Sequence, residues 1–198
     1  MAATIRMARE EDAADIWAIY APIVQTTNCS FELTPPDEKD MRQRIVKTLD
    51  RMPWLSCDVD GVVRGYAYAN PHRPRAAYQW SVEVSVYIDE HHRRRGIGRA
   101  LYTSLFAILR LQGYFNAFAG ISLPNQTGIH LHQSLGFTLV GTYSAVAFKR
   151  EQWTDVSWWH LALREPVLDP EPPAQFAAVQ VSSAWQQALA AGEPFLRL

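Results

Sequence analysis

The sequence predicts an α/β domain in which short strands alternate with amphipathic helices. Asp60-Gly61 favours a tight hairpin between two apolar stretches, because glycine accepts a positive φ. Within residues 81–88 apolar residues alternate with polar ones, the pattern of a strand with one buried face. A 3.6-residue apolar period follows over residues 97–109, as in a helix, with Gly113 just past its end. These observations indicate strands and helices in succession and therefore a layered α/β fold.

The other elements are predicted from the same two periods. A helix begins after Asp12, and we expect Pro22 to bend it or end it early, because proline removes a backbone donor. Thr34 is interpreted as the cap of a second helix, with Pro35 and Pro36 in its first turn. The remaining elements are expected as strands at 54–59, 62–69, 115–121 and 137–140, a helix at about 125–135, and a hairpin of 144–148 with 156–162.

We expect one domain over residues 1–165, followed by an extension over residues 166–198. The chain has 198 residues, which is long enough for one domain with its own core. A short helix is expected near residues 185–190. The extension is interpreted in two ways, as a cover for a dimer surface or as a tail in solvent. It begins with prolines that break regular structure, Pro166, Pro170, Pro172 and Pro173.

Composition and charge exclude several classes of protein. Hydrophobic residues make up 48% of the chain, too many for a disordered protein. The formal net charge of −1 lacks the basic excess that nucleic-acid binding needs, so no nucleic-acid partner is expected. No apolar run approaches the roughly 20 residues that cross a bilayer, so no membrane is expected, and Arg6 and Arg9 argue against a signal peptide. Cys29 and Cys57 form neither a disulfide framework nor a metal-ligand pattern, so we expect a cytoplasmic protein without a metal.

A basic turn that contains two glycines lies between the clearest strand and the helix that follows it. Residues 93–99 read Arg-Arg-Arg-Gly-Ile-Gly-Arg, and the helix beginning there leaves backbone N–H groups without intrahelical partners. Glycine lets the backbone approach a ligand, and the helix dipole favours an anion. Arg94, Arg95 and Arg99 add charges that suit phosphate oxygens. The alternative is a solvated basic turn, and the three-glycine fingerprint of a dinucleotide fold is absent.

Several runs together resemble the GCN5-related N-acetyltransferase (GNAT) superfamily. Residues 93–98 are similar to its pyrophosphate loop, Gln/Arg-x-x-Gly-x-Gly/Ala, and residues 131–137, Leu-His-Gln-Ser-Leu-Gly-Phe, to its Leu-Tyr-x-x-Leu-Gly-Phe. The resemblance spans roughly residues 4–164. A closer similarity is to the phosphinothricin and methionine sulfoximine acetyltransferase branch, and it rests on the runs at 53–55, 77–83, 86–87, 123–125 and 148–156.

The resemblance implies a fold and an activity. The expected fold has a mixed, mostly antiparallel sheet, splayed where the arm of acetyl-CoA inserts, with helices on both faces. The expected enzyme is a homodimer that uses acetyl-CoA as co-substrate and acetylates the α-amine of a small amino acid analogue by direct attack on the thioester. Two alternatives stay open: another amine, such as an aminoglycoside, a polyamine or a protein N-terminus, or a non-catalytic module that senses CoA.

Two residues are expected to move protons. Glu83 lies on the polar face of the strand before the basic turn, and it is interpreted as the general base that deprotonates the amine, directly or through water. The alternative is that Glu83 simply pairs with Arg73 or Arg75. His132 stands where the superfamily often has a tyrosine that protonates the departing thiolate, and imidazole donates a proton near neutral pH. The alternative is a helix histidine satisfied by a neighbour.

The resemblance also implies contacts to acetyl-CoA. Backbone groups of Val86, Tyr87 and Ile88 are expected to pair with the pantetheine arm as if it were an added strand. Asn125 is expected to hydrogen-bond the same arm. The diphosphate is assigned to the turn and the helix start, Arg94, Arg95, Gly96, Ile97, Gly98 and Arg99.

The substrate contacts are expected on three segments. Arg73 and Arg75 suit a substrate carboxylate, because arginine makes bidentate contacts, and Tyr78 lies close to them in the sequence. Phe31 and Glu32 lie where the branch has a pocket loop. Two residues resemble ones that approach the site of a neighbouring subunit, Lys149 and Trp153.

Overall fold

The computed structural model describes residues 3–197, and the strands in this range form one seven-stranded sheet of order β1-β2-β3-β4-β5-β7-β6. The strands are β1 (Ala3–Met7), β2 (Trp54–Val59), β3 (Val62–Pro71), β4 (Ser81–Ile88), β5 (Asn116–Ser122), β6 (Thr138–Lys149) and β7 (Gln152–Ala162). The helices are α1 (Ala13–Thr26), α2 (Glu38–Leu49), α3 (Ile97–Gln112), α4 (Gln126–Ser134), α5 (Phe176–Gln180) and α6 (Trp185–Ala190). Within the described range, no helix has the length and apolar character needed to span a bilayer.

The sheet is splayed between β4 and β5. These two strands run parallel, whereas the other five neighbouring pairs are antiparallel. The parallel ladder joins Ser81–Glu83 to Asn116–Phe118 and ends there, although β4 continues to Ile88. The expected mixed, mostly antiparallel sheet with a splay is therefore confirmed.

The two faces of β4 meet different helices, as its alternation predicts. Val82 and Val84 are buried in the main core, which α3 fills with its apolar stripe. Tyr87 packs into a second core formed by α1, α2 and neighbouring strands. Glu83 lies on this same side, because successive strand residues point to opposite faces. Helices thus cover both faces, and the carboxylate faces the side of α1 and α2.

Two details of α1 and α2 differ from expectation. α1 continues through Pro22 to Thr26, so the predicted early end is wrong. The hydroxyl of Thr26 donates to the carbonyl of Pro22 at 2.7 Å, and Val24 beyond the proline is buried, so packing and side-chain bonds hold the last turn. The cap of α2 is Asp37 rather than Thr34, because its carboxylate accepts the N–H of Asp40 at 2.7 Å.

The predicted strands at 137–140 and 144–148 are one strand, β6. Its register against β7 shifts between Tyr143 and Ala147, and Ala145 has a φ of 47°. The amide of Ala145 donates to the carboxylate of Asp155 on β7 at 2.7 Å, so a side chain satisfies the backbone where the ladder is interrupted. The sequence therefore indicates two strands at this irregularity, whereas the structure has one continuous strand.

The C-terminal extension packs on α3 and does not trail in solvent. The predicted helix at 185–190 is confirmed as α6, and α5 was not expected. The hydroxyl of Ser104 on α3 donates to the carbonyl of Leu189 at 2.7 Å. The extension adds four buried apolar residues to the main core, Phe176, Val179, Trp185 and Ala188.

Candidate active site

Glu83 lies at the point where the sheet opens, since it is the last residue of β4 that pairs with β5. Its side chain is 36% exposed, and its carboxylate oxygen Oε1 lies 2.9 Å from Nδ1 of His72. The partner of the carboxylate is therefore a histidine rather than either of the predicted arginines. A carboxylate that is partly exposed at the end of a ladder is placed to meet a ligand inserted between the strands.

Aromatic side chains surround His72, the hydrogen-bond partner of this carboxylate. The ring of His72 stacks on Phe118 of β5 with centroids 4.4 Å apart, and it meets the edges of Tyr78 and Trp158 at 6.0 and 6.1 Å. The guanidinium of Arg73 lies 5.9 Å from the Trp158 ring. The structure thus brings two of the predicted substrate residues, Arg73 and Tyr78, close to the neighbours of Glu83.

Sequence analysis missed His72, although a signal for it existed. Asn70 on β3 lies opposite Glu83, so the even-numbered residues of β3 share a face with the odd-numbered residues of β4. The amide of His72 donates to the carbonyl of Ser81 at 3.2 Å and extends this pairing by one step beyond β3. The period-2 pattern, carried into the loop, predicts an imidazole beside the carboxylate only once the register and the length of the β3–β4 pairing are known.

The start of α3 has the backbone geometry of an anion site. Gly96 caps the helix with a φ of 80°, and Arg94 has a φ of 60°. Left-handed residues in a turn direct successive backbone N–H groups toward one side, which suits phosphate oxygens. A Cβ on Gly98 would lie 3.2 Å from the side chain of Leu131, so glycine also lets α3 and α4 approach closely. These observations fit a diphosphate at the predicted turn.

Val86, Tyr87 and Ile88 lie on β4 beyond the end of the β4–β5 ladder, next to the gap between the strands. An extended ligand arm has space there to lie along β4. Asn125 caps α4, and its side-chain oxygen accepts the N–H of Gly128 at 2.9 Å. Its amide nitrogen faces the other way, 3.7 Å from Sγ of Cys29. Contact between this amide and the arm of acetyl-CoA stays a prediction.

His132 is buried between α4, α3 and Phe137. Its Nδ1 lies 2.7 Å from the carbonyl of Gly128, and its Nε2 lies 3.3 Å from the hydroxyl of Tyr102. Desolvation lowers the pKa of His132, and the bond to the Gly128 carbonyl opposes this only in part. The ring is thus neutral near pH 7, with its proton on Nδ1. These contacts match the alternative of a satisfied helix histidine, so its role as proton donor stays a prediction.

The remaining predicted substrate residues lie in two other places. Glu32 accepts bonds from Arg44 at 2.6 and 3.0 Å and from the hydroxyl of Tyr20 at 2.8 Å. The bonds from Arg44 hold the pKa of Glu32 below its usual value. Nζ of Lys149 donates to the carbonyls of Val24 and Ser30 at 2.7 and 2.6 Å, which anchors the loop before Glu32 to α1.

The others are exposed. Phe31 lies in the anchored loop with its side chain partly exposed, and Arg75 is exposed just before the single turn of Ala76–Tyr78. Trp153 is 65% exposed near the β6–β7 turn, where its ring contacts Phe148 at 5.3 Å. The structure does not gather these three side chains around Glu83 within one chain.

A cavity of about 460 Å³ opens on the face of the sheet that carries Glu83. Tyr68 in its wall lies opposite Ser85 on β4, and Asn70 lies opposite Glu83. This volume lies within the range of small-molecule sites, about 300–1,000 Å³. The wall combines stacked aromatic rings with three cationic side chains, and it includes Tyr20, Arg44, Lys47, Arg51, Trp54, Tyr66, Tyr68 and Asn70. Among residues 3–197, no group of three or more His, Cys, Asp or Glu side chains is placed to hold a metal ion.

Comparison with known proteins identifies the class of protein. A family model described as an acetyltransferase (GNAT) domain matches residues 5–158. The phosphinothricin N-acetyltransferase of Streptomyces viridochromogenes is 37% identical over 168 residues, which cover 85% of this chain and 91% of that protein. The L-methionine sulfoximine/L-methionine sulfone acetyltransferase of Salmonella typhimurium is 33% identical, over 82% of this chain and 95% of its own.

Solved structures agree with these relatives. A GNAT superfamily phosphinothricin acetyltransferase from Sinorhizobium meliloti, solved in complex with acetyl-CoA, matches with a TM-score of 0.80 and 33% identity. The match covers 89% of this chain and 99% of that one. The chain therefore belongs to the GNAT acetyltransferase family, and it is an acyltransferase. The resemblance to the superfamily and to its phosphinothricin and methionine sulfoximine branch is confirmed.

Proposed function

We propose that this chain transfers the acetyl group of acetyl-CoA to the α-amine of a small amino acid analogue of the phosphinothricin or methionine sulfoximine type. The observation that carries the proposal is the position of Glu83, a partly exposed carboxylate at the last paired residue of β4 and β5. The names of the curated relatives support this class of substrate.

The described residues fit acetyl-CoA. The gap beyond Glu83 leaves Val86, Tyr87 and Ile88 beside space for the pantetheine arm, and the turn of residues 93–99 ends at a helix N-terminus with left-handed backbone. Acetyl-CoA supplies a thioester carbonyl that an amine can attack. Backbone N–H groups of β4 beside this carbonyl would stabilise negative charge that develops on its oxygen.

The chain's own groups would prepare the amine. An α-amine binds as ammonium and must lose a proton before it can attack, and Glu83 is placed to take this proton, directly or through one water. Arg73 and Arg75 would hold the substrate carboxylate, and Tyr78 would close the same side. Proton donation by His132 to the departing sulfur would require the hydroxyl of Tyr102 to leave Nε2.

A homodimer is part of the proposal. β6 is the edge strand of the sheet, and an exposed apolar edge is a template for pairing with another chain. Docking of this edge on a second copy would bring Trp153 to the partner. Six large apolar side chains on β6 and β7 are at least half exposed: Leu139, Val140, Tyr143, Val146, Phe148 and Trp153.

Light scattering tests the dimer. We expect the mass of a dimer for the unaltered chain and of a monomer for Val146→Glu, because a charge would be buried in the interface. Leu168→Glu is the control, since Leu168 is a fully exposed leucine in the extension, and it should stay dimeric. A monomeric unaltered chain would overturn this part of the proposal.

We also propose that the protein works in the cytoplasm. Cys29 and Cys57 are free thiols, and Cys29 is exposed, which suits a reducing compartment.

Replacement of Glu83 tests the proposed reaction. Glu83→Gln should lower kcat by roughly 10²-fold or more, because the amide cannot take a proton, while calorimetry shows little change in acetyl-CoA affinity. Glu165→Gln is the control, since this side chain is exposed and is the last residue of the predicted domain, after β7. Full activity of Glu83→Gln at pH 7 would contradict the mechanism.

A substrate panel with detection of free thiol tests the substrate class. Turnover of methionine sulfoximine or phosphinothricin is expected. Turnover of a peptide, a polyamine or an aminoglycoside, with none of these two analogues, would contradict the branch assignment. Binding of acetyl-CoA without turnover of any amine would indicate the non-catalytic alternative.

A further inference from the structure

His72 contacts Glu83, the proposed base, directly, and the proposed acetyl transfer assigns it no role. We propose that His72 is a positioning residue that orients the carboxylate of Glu83 by donating a hydrogen bond from Nδ1. This inference rests on the proposed function. The two side chains, 2.9 Å apart at Nδ1 and Oε1, are called the imidazole–carboxylate pair below.

The ring of His72 is held rigidly enough to orient its partner. Only 13% of its side chain is exposed, and it lies nearly parallel to Phe118, with an interplanar angle of 17°. The edges of Tyr78 and Trp158 limit rotation about its side-chain torsions. The edge that carries Nδ1 faces the carboxylate, so the imidazole restricts the carboxylate to one orientation at the opening of the sheet.

The hydrogen bond from His72 leaves the second oxygen of the carboxylate for the substrate. Nδ1 carries a hydrogen and donates it to Oε1. The substrate ammonium gives one proton to Oε2 of Glu83 and becomes the neutral amine, and release of this proton to water restores the carboxylate. One proton enters and leaves in each cycle, and no other reactant is needed.

A second histidine near the pair has a partner of its own. The ring of His160 on β7 lies 5.0 Å from the ring of Phe118, centroid to centroid, and its Nε2 lies 2.9 Å from Oδ1 of Asn116. Desolvation lowers the pKa of His160, so this ring is neutral near pH 7. It adds no positive charge beside the imidazole–carboxylate pair.

The other polar groups near the pair come from β3 and from the loop after it. The phenol of Tyr68 lies on the same face, and burial raises its pKa, with the charge of Glu83 a smaller cause, so the phenol stays neutral. The ring of Tyr78 forms a T-shaped contact with the imidazole. Arg73 carries a positive charge 5.9 Å from the Trp158 ring, which also forms a T-shaped contact with His72. The carboxylate of Glu83 is thus the anion in direct contact with the imidazole.

Two substitutions of His72 separate the hydrogen bond from the stacking of the ring. His72→Phe keeps a ring that can stack on Phe118 but removes both nitrogens. His72→Asn keeps an amide N–H near the position of Nδ1, so it can still donate to the carboxylate. We expect kcat to fall about tenfold in His72→Phe and by less in His72→Asn. The KM for acetyl-CoA should change little, and His130→Phe, at an exposed position on α4, should match the unaltered enzyme.

The pH profile is the readout that a structural role alone would not move. A hydrogen-bond donor favours the ionised form of a carboxylate. The acid limb of kcat/KM should therefore move to higher pH in His72→Phe and return toward its original position in His72→Asn. Melting temperature and calorimetry with acetyl-CoA confirm that each variant is folded. If His72→Phe does not fold, His72→Leu removes the donor with a smaller side chain and should move the acid limb in the same direction.

A double-mutant cycle with Glu83→Gln completes the test. If His72 acts through Glu83, its substitution should change kcat less than twofold once Glu83 is glutamine. An equal loss in both backgrounds, or no loss in either, would overturn the inference while leaving the proposed function intact. Full activity of Glu83→Gln alone would instead overturn the proposed mechanism, so the two failures are distinguishable.

Discussion

The main-chain N–H of Arg197 donates a hydrogen bond of 2.9 Å to the carbonyl of Arg95, and this bond joins the C-terminal extension to the turn predicted to bind diphosphate. The ring of Phe195 lies 5.0 Å from the guanidinium of Arg99. The amide of Gly192 donates to the hydroxyl of Ser104 on α3 at 3.0 Å. The extension lies beyond the region that the family model matches, so this chain supports its turn with a segment outside the common domain.

Removal of the last part of the extension should weaken acetyl-CoA binding. A chain ending at Ala190 keeps α5 and α6 but loses the contacts to Arg95 and Arg99. We expect its Kd for acetyl-CoA to rise about tenfold, because the turn must then be ordered by the ligand alone. Isothermal calorimetry measures the change. Leu168→Ala, at an exposed position of the same extension, should have no effect. Tighter binding after truncation would mean that the extension obstructs the site.

Replacement of Gly96 by alanine should show how closely the extension approaches. Gly96 has a φ of 80°, and a Cβ there would overlap the carbonyl oxygen of Phe195. Gly61 is the matched control, because its φ is 87° and no atom lies within 4 Å of a Cβ built there. We expect Gly61→Ala to lower the free energy of unfolding by about 1–2 kcal/mol, the cost of left-handed backbone alone.

Gly96→Ala should cost more than Gly61→Ala and should also weaken acetyl-CoA binding. In the chain that ends at Ala190, the two substitutions should cost the same, since the overlapping carbonyl is gone. Denaturant unfolding measures the free energy of unfolding of both variants in the full chain and in the shortened chain, each against its unaltered parent. Equal costs in the full chain would show that the extension does not press on Gly96.

The strands and the carboxylate at the site follow from local patterns, whereas the partner of the carboxylate does not. Alternation in residues 81–88 predicts which face carries Glu83, because the period of a strand leaves one choice once the apolar face is buried. His72 lies in a loop beyond the hairpin, and its contact depends on how far the β3–β4 pairing continues. No local pattern reports that length.

The prediction for the end of α1 is wrong because tertiary packing outweighs a local backbone preference. Pro22 removes one helical hydrogen bond, but burial of Val24 and the hydroxyl of Thr26 stabilise the next turn. The sequence leaves the two interpretations of the extension open, because the family resemblance ends near residue 164. The burial of Phe176 on α5 and Trp185 on α6 can be predicted only when α3 is known to have a face that the extension covers. In the structure their rings contact each other, with centroids 5.9 Å apart.

The buried ion pair near the N-terminus should make the protein sensitive to acid. Asp12 accepts bonds from Arg6 at 2.7 and 2.8 Å and from the amide of Arg9 at 2.9 Å. Burial alone would raise the pKa of Asp12, but these bonds outweigh it and hold the pKa below its usual value. The unfolded chain binds a proton first as pH falls, so the contribution of this carboxylate is present above pH of about 3.9 and is lost below it.

Asp12→Asn should therefore lower the free energy of unfolding by about 2–3 kcal/mol at pH 7. The difference from the unaltered protein should shrink as the pH falls below about 4, because the unfolded carboxyl then binds a proton before the folded one does. Glu38→Gln is the control, because its pair with Arg42 is exposed, and it should change stability by less than about 1 kcal/mol. A pH-independent difference for Asp12→Asn would contradict the assigned charge.

Substitution of His132 should separate the two roles that stay open for it. Desolvation lowers the pKa of His132 in the folded chain below the value of about 6.5 expected in the unfolded chain. The unfolded chain therefore binds more protons below pH 6.5, and the contribution of the neutral ring to stability is lost as the pH falls below that value. In His132→Gln this part of the pH dependence should disappear, and the melting temperature should fall because Gly128 and Tyr102 lose their common partner. His130→Gln, at an exposed position on the same helix, should behave as the unaltered protein.

The kcat of His132→Gln then decides between the two roles. A proton donor predicts a loss of kcat that remains in fully folded enzyme and shrinks as the pH rises, because the unaltered imidazole then also loses its donor form. A satisfied helix histidine predicts an unchanged kcat wherever the variant is folded.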